Sequence, residues 1–247
     1  PLSTKDVDIP YFVQKKIGNH YLLLMAEGGS DYNHAVTALT AKSLWGPYVP
    51  CTINPVLTHR HLGKDYPVQS LGHADLVQTP TGDWYAVFLG KRIVEGGLVP
   101  LGRETFLCEV SFQNGEPIFN PGIGVIGNRL KRPLLPWTPV SKTDKQNDFE
   151  SSALSPEWAT MRIPEQPLHH FADGNLFLSL RPEMADSLVC PSMLLHRVHS
   201  HNFSAITTMT FSTCQANEWA GLVLYRTAKG YYSLLKGKNE IRLTIDK

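Results

Sequence analysis

Residues 73–78 and 84–89 alternate between apolar and polar side chains, and the five residues between them, Thr79-Pro80-Thr81-Gly82-Asp83, hold the Pro and Gly of a turn. Alternation sends successive side chains to opposite faces of a strand, so the pattern predicts a β-hairpin half-buried on a sheet. A third run follows at 105–112, and Asn114-Gly115 after it is a hairpin-turn signal, because both residues tolerate positive φ. Upstream, Tyr21-Leu22-Leu23-Leu24-Met25-Ala26 is apolar throughout, as in a strand covered on both faces. Gly28-Gly29-Ser30 breaks it, residues 34–40 alternate weakly toward a second strand, and Gly46-Pro47 marks a turn.

Between 120 and 157 the pattern dissolves. Pro121, Pro133, Pro136 and Pro139, with a polar run at 141–155, mark a linker. Strand-like runs resume at 176–180, 192–198, 205–212, 221–225, 231–235 and 241–245, separated by turn residues such as Asp173-Gly174-Asn175 and Lys229-Gly230. That spacing fits a β-sandwich. The expected architecture is all-β, divided at 1–125, 126–157 and 158–247.

Composition narrows the function classes. The 247 residues leave room for one or two domains. A net charge of +1 with no long basic run disfavours nucleic acid and anionic membranes as partners. No apolar run is long enough to span a bilayer as a helix. Cys51, Cys108, Cys190 and Cys214 lack CxxC spacing, which predicts buried free thiols instead of a zinc site. No signal-peptide pattern opens the sequence at Pro1, so extracellular and cytoplasmic locations both stay open, as does the oligomeric state.

Candidate chemistry gathers at strand starts: Gly72-His73-Ala74-Asp75, Lys91-Arg92 and Leu101-Gly102-Arg103-Glu104. Imidazole, carboxylate and guanidinium, each near a glycine, predict a site built on a rigid sheet. Taken singly, His73 reads as a structural histidine and Arg103 as a surface ion pair with Glu104. Thr58-His59-Arg60-His61 predicts a polar loop, either solvated or lining a cleft. His199 and His201 share a face of the strand expected there, but no carboxylate or Cys nearby completes a metal set with His196. Trp84, Trp158 and Trp219 are expected in cores, and Glu27, before two glycines, as a structural acceptor.

The segments AEGG (26–29), GHADLVQT (72–79), WYAVFLG (84–90) and LGRETFL (101–107), in this order, resemble glycoside hydrolase family 43, in its β-xylosidase/α-L-arabinofuranosidase branch. The stretch from WATMRIPEQPLHHF to AGLVLYRTAKGYYSLL is similar to the β-sandwich that follows the catalytic domain there. The resemblance implies a partial five-bladed β-propeller of about two blades, then a partial concanavalin-like β-sandwich. It implies xylan or arabinoxylan oligosaccharides as partners and inverting hydrolysis of xylosyl or arabinofuranosyl linkages. By the same resemblance His73 lies near the propeller axis, helping to hold a calcium or sodium ion through water. Arg103 reaches the sugar, and Ser30 takes a pocket-lining position usually held by Thr.

The family's general acid is the Glu of a Glu-Gly-Pro motif. Aligning prolines sets Asp8 of Val7-Asp8-Ile9-Pro10 at that place, whereas a gapless alignment from AEGG sets Pro10 there. The resemblance places a general base and a second, tuning Asp in earlier blades that have no counterpart in these residues. Inverting hydrolysis needs two carboxyl groups about 6.5–9.5 Å apart. Two expectations therefore stand together: a glycosidase completed by Asp8 or by another chain, and a non-catalytic carbohydrate-binding remnant or truncated gene product.

Overall fold

The structure, a computed structural model, describes residues 12–139, 147–151 and 153–246. Two compact units divide between Thr138 and Pro139. Among the described residues every regular element is a strand apart from one 3-10 turn, Glu95–Gly97.

The first unit contains two antiparallel sheets. In the first, β1 (Phe12–Ile17), β2 (His20–Glu27) and β3 (Ala35–Ala41) follow one another as a meander. The fourth position is split: β4 (Val49–Pro50) pairs with one end of β3 and β5 (Leu57–Thr58) with the other. The second sheet is an unbroken meander of β6 (Val68–Gln78), β7 (Trp84–Arg92), β8 (Glu104–Gln113) and β9 (Glu116–Phe119). Four antiparallel strands in chain order are the unit of a propeller blade. The β8–β9 hairpin turns at Asn114 (φ 53°) and Gly115 (φ 83°), as the Asn-Gly pair predicts.

The core lies between these sheets. Leu22, Leu24, Val36 and Ala38 from the first meet Leu71, Ala74, Leu76, Phe88 and Val110 from the second, all buried. Each buried Leu stabilises the unit by roughly 1.5–3 kcal/mol. Ile126 and Leu130, in the stretch expected to be linker, pack against this same core. Cys51 and Cys108 are buried in it, and burial pushes their thiols up to about 11 and about 12.

The second unit has smaller sheets. β10 (Trp158–Thr160) pairs with β13 (Leu194–His196), and β11 (His169–Ala172) with β12 (Asn175–Leu178) across a turn at Asp173 (φ 50°) and Gly174. β14 (Ala220–Thr227), β15 (Gly230–Lys236) and β16 (Ile241–Asp246) form a three-stranded meander. Two sequence expectations change here. Residues 205–212 form no strand, and His199 and His201 share no strand face because β13 ends at His196. Cys214 is exposed and Cys190 half-buried, against the expectation of four buried thiols.

Candidate functional site

Strand ends of the second sheet and one turn of the first meet at His34. The turn follows β2. Gly28 has φ +74°, and a Cβ there would stand 2.2 Å from the Asn33 carbonyl oxygen, so only glycine lets the chain close this tightly. The turn then runs through Ser30 and Asp31 to His34, whose N–H donates to the Asp31 carbonyl at 2.9 Å. His34 is 4% exposed. Its Nδ1 lies 3.2 Å from the Ser70 carbonyl, which makes Nδ1 the donor and Nε2 the bare acceptor of a neutral ring.

Around this ring stand two cations, Lys91 and Arg103, and a second imidazole, His73. Lys91, near the end of β7, reaches Asp31 at 3.1 Å. Arg103 immediately precedes Glu104, which is opposite Gly90, so it stands beside Lys91 at the same end of the sheet. His73 projects from β6 to solvent. Burial lowers the His34 pKa most; the bond to the Ser70 carbonyl opposes this, and the charges of His73, Arg103 and Lys91 lower it further. His73 also borders an open hollow of about 370 Å³ with Asp75, Val87 and Thr105. Arg103 does not line that hollow; its tie to His73 is through the His34 neighbourhood.

The acids nearby are engaged with cations. Glu104 is gripped by Arg92, with Nε–Oε2 at 2.9 Å and Nη2–Oε1 at 2.5 Å. The ion pair between Arg103 and Glu104 that sequence proximity predicts is therefore replaced by one across strands. Asp75 meets Lys15 at 3.4 Å, and Glu27 meets Arg60 at 3.4 Å, the structural role expected of it. Ser30 is exposed in the turn beside Asp31. Asp8 lies outside the described residues.

The segment Thr58-His59-Arg60-His61 is neither a solvated loop nor a cleft wall at His59. That imidazole is 1% exposed, donates from Nδ1 to the Val68 carbonyl at 2.6 Å, and accepts the Ile126 N–H on Nε2 at 3.0 Å. It ties three segments of the first unit together. Trp84 packs against the core and edge-on to Phe112, as expected.

A calcium ion takes six to eight oxygen ligands, and sodium is likewise a hard cation. The described residues offer no group of three or more His, Cys, Asp and Glu placed to hold a metal, and His73's neighbours at His34 are Arg103 and Lys91. They do not fit direct coordination of such an ion. An ion reached through water makes no such demand on them.

Two blade-like meanders, the first with its fourth position split between two short strands, followed by smaller antiparallel sheets define a partial five-bladed β-propeller joined to a partial concanavalin-like β-sandwich. Residues 7–117 match the model of glycosyl hydrolases family 43, and residues 146–245 match the beta xylosidase C-terminal concanavalin A-like domain. The chain belongs to glycoside hydrolase family 43. It is 36% identical to a xylosidase/arabinosidase of Butyrivibrio fibrisolvens over 98% of its own length and 47% of that protein's. It is also 36% identical to a non-reducing end α-L-arabinofuranosidase of Bacteroides ovatus, covering 92% of this chain and 42% of the relative. A crystallised family 43 protein from Bacillus licheniformis matches with a TM-score of 0.80 at 28% identity, over 96% of this chain and 47% of that one. The chain thus spans about half the length of the curated relatives it matches.

His34 is the residue that sequence reasoning missed. Its signal was Gly72, a glycine inside a strand, which marks a close approach by something else.

Proposed function

We propose that this chain supplies one wall of a pocket for a non-reducing-end pentose, xylosyl or arabinofuranosyl, of the kind that family 43 glycosidases release from xylan-type polysaccharide. Arg103 and His73 are the sugar contacts and Ser30 lines the pocket. The observation that carries this reading is the convergence of His73, Arg103 and Lys91 on one buried imidazole, at positions matching the family's GHAD and LGRE segments. A guanidinium fork suits paired sugar hydroxyls, and an imidazole both donates and accepts. In the hydrolytic form of the proposal Asp8 is the acid, and inversion requires a second carboxylate across the scissile bond.

A second reading, sugar binding without turnover, is favoured by one specific feature: Asp31, Asp75, Glu27 and Glu104 each face a cation. Carboxylates occupied by ion pairs in this way suit a binding wall more than a catalytic centre. Purified protein assayed on 4-nitrophenyl β-D-xylopyranoside and α-L-arabinofuranoside, with D-xylose and L-arabinose titrations alongside, separates the two. Turnover lost in Asp8→Asn supports hydrolysis; saturable binding without turnover supports the second reading; neither sinks both. The water-held calcium or sodium ion beside His73 is a separate proposal, tested by whether calcium raises the thermal midpoint and EDTA lowers it.

A further inference from the structure

Strand β6 is not regular where it matters. Gln69 is opposite Lys91, Gly72 opposite Leu89 and Asp75 opposite Val87, so twice in succession three steps along β6 correspond to two along β7. Each mismatch is a bulge with one extra residue. The two left-handed residues of the strand, Ser70 (φ 57°) and His73 (φ 56°), sit one in each. Such backbone is strained for residues with side chains, and it persists only where the surroundings over-determine it. The bulges also break alternation: Leu71, Gly72 and Ala74 are buried while His73, among them, faces solvent.

What over-determines this stretch is the His34 ring. A Cβ built on Gly72 would lie 2.3 Å from both Cε1 and Nε2 of His34, so the imidazole occupies the space that a side chain at position 72 would fill. The ring's other nitrogen is tied to the Ser70 carbonyl, at the first bulge. The ring is itself anchored, since the His34 N–H bonds to Asp31 and its carbonyl accepts from Thr58 Oγ1 at 3.1 Å. We propose that His34 is a positioning residue for His73: seated on Gly72 between the two bulges and bonded to Ser70, it holds β6 in the conformation that turns His73 out of the sheet. The consequence for sugar binding rests on the pocket reading above; the effect on His73 does not.

The test uses side-chain ¹H–¹⁵N spectra of the full chain, with His73 assigned by loss of its signals in His73→Gln. His34→Ala removes ring and bond together and should move the His73 resonances in a protein that still unfolds cooperatively. His34→Asn keeps a donor near the Nδ1 position and should move them less. If His34→Ala does not fold, His34→Asn compared with wild type carries the same comparison. A thermodynamic cycle adds Gly72→Ala: the added methyl should be far less damaging in the His34→Ala or His34→Asn background than in wild type, because the ring it clashes with is gone. Unchanged His73 resonances in a folded His34 variant, or additive effects in the cycle, overturn the proposal. With D-xylose as ligand, Kd should rise about tenfold in His34→Ala. Wild type that binds no D-xylose sinks the pocket reading and leaves the His73 test standing.

Discussion

In the first unit Leu22, Leu24, Val36, Leu71 and Phe88 are enclosed between two facing sheets, whereas in the second the β14–β15–β16 sheet turns a comparable row of side chains outward. Leu222, Leu234 and Leu243 are in register across that sheet, as are Leu224, Tyr232 and Ile245, and Ile241 and Leu243 remain 72% and 69% exposed. Among the described buried hydrophobics of the second unit only Leu168 falls below 2%. The strand patterns of the two units are alike. Alternation specifies that a strand has an apolar face; it does not specify what covers that face.

The sharpest way to break this comparison is to truncate one side chain in each unit. Leu22→Ala, which empties a site enclosed on both sides, should destabilise the first unit by about 2–5 kcal/mol in urea unfolding. A loss under about 1 kcal/mol would show that the facing sheets do not bury it as described. His59→Ala comes next. It strands the Val68 carbonyl and the Ile126 N–H, each worth about 1–3 kcal/mol when left buried without a partner.

Acid provides a graded version of the same experiment. Burial holds the His59 pKa below its ordinary 6.5; the Val68 carbonyl opposes this, and His61 lowers it further. The unfolded chain therefore binds the proton more readily than the folded one. This contribution is fully present above about pH 6.5 and is lost as pH falls through the lower folded value. The urea midpoint should drop across that window, and the part of the drop due to His59 should vanish in His59→Asn.

The counterpart in the second unit is Leu243→Lys. It should change stability by no more than about 0.5 kcal/mol and reduce self-association at high concentration, read by light scattering. A large loss would mean the face is covered. The smallest effect on stability comes from thiol labelling. Ellman's reagent should modify Cys214 in the folded protein and leave Cys51 and Cys108 untouched until unfolding, because burial excludes the reagent and raises both thiols.

The β6–β7 hairpin is legible from residue pattern alone, since period-two alternation around a Pro/Gly turn has few other solutions. Its start is not. β6 begins at Val68, in a stretch buried on both sides where alternation disappears. The two bulges are invisible for a related reason: an inserted residue is defined only by the strand opposite. The same limit explains residues 205–212, a strand-like run that finds no pairing partner. His73 and Arg103 stood out by type and by neighbouring glycines. Which cation takes Glu104 could not be read this way, because Arg92 is twelve residues away in the chain yet within 2.5 Å across the sheet.

From the sequence by itself came the all-β character and the hairpins at Asp83, Asn114-Gly115 and Asp173-Gly174. These depend on local chemistry: turn residues that accept positive φ, and side-chain alternation that a two-residue period imposes. Only tertiary structure decided that His34 fills the place of a missing side chain at Gly72, that His59 is an internal strut, and that one unit encloses its apolar residues while the other displays them. Those outcomes are contacts between residues distant in sequence, and a chain's order does not state which of its surfaces will meet.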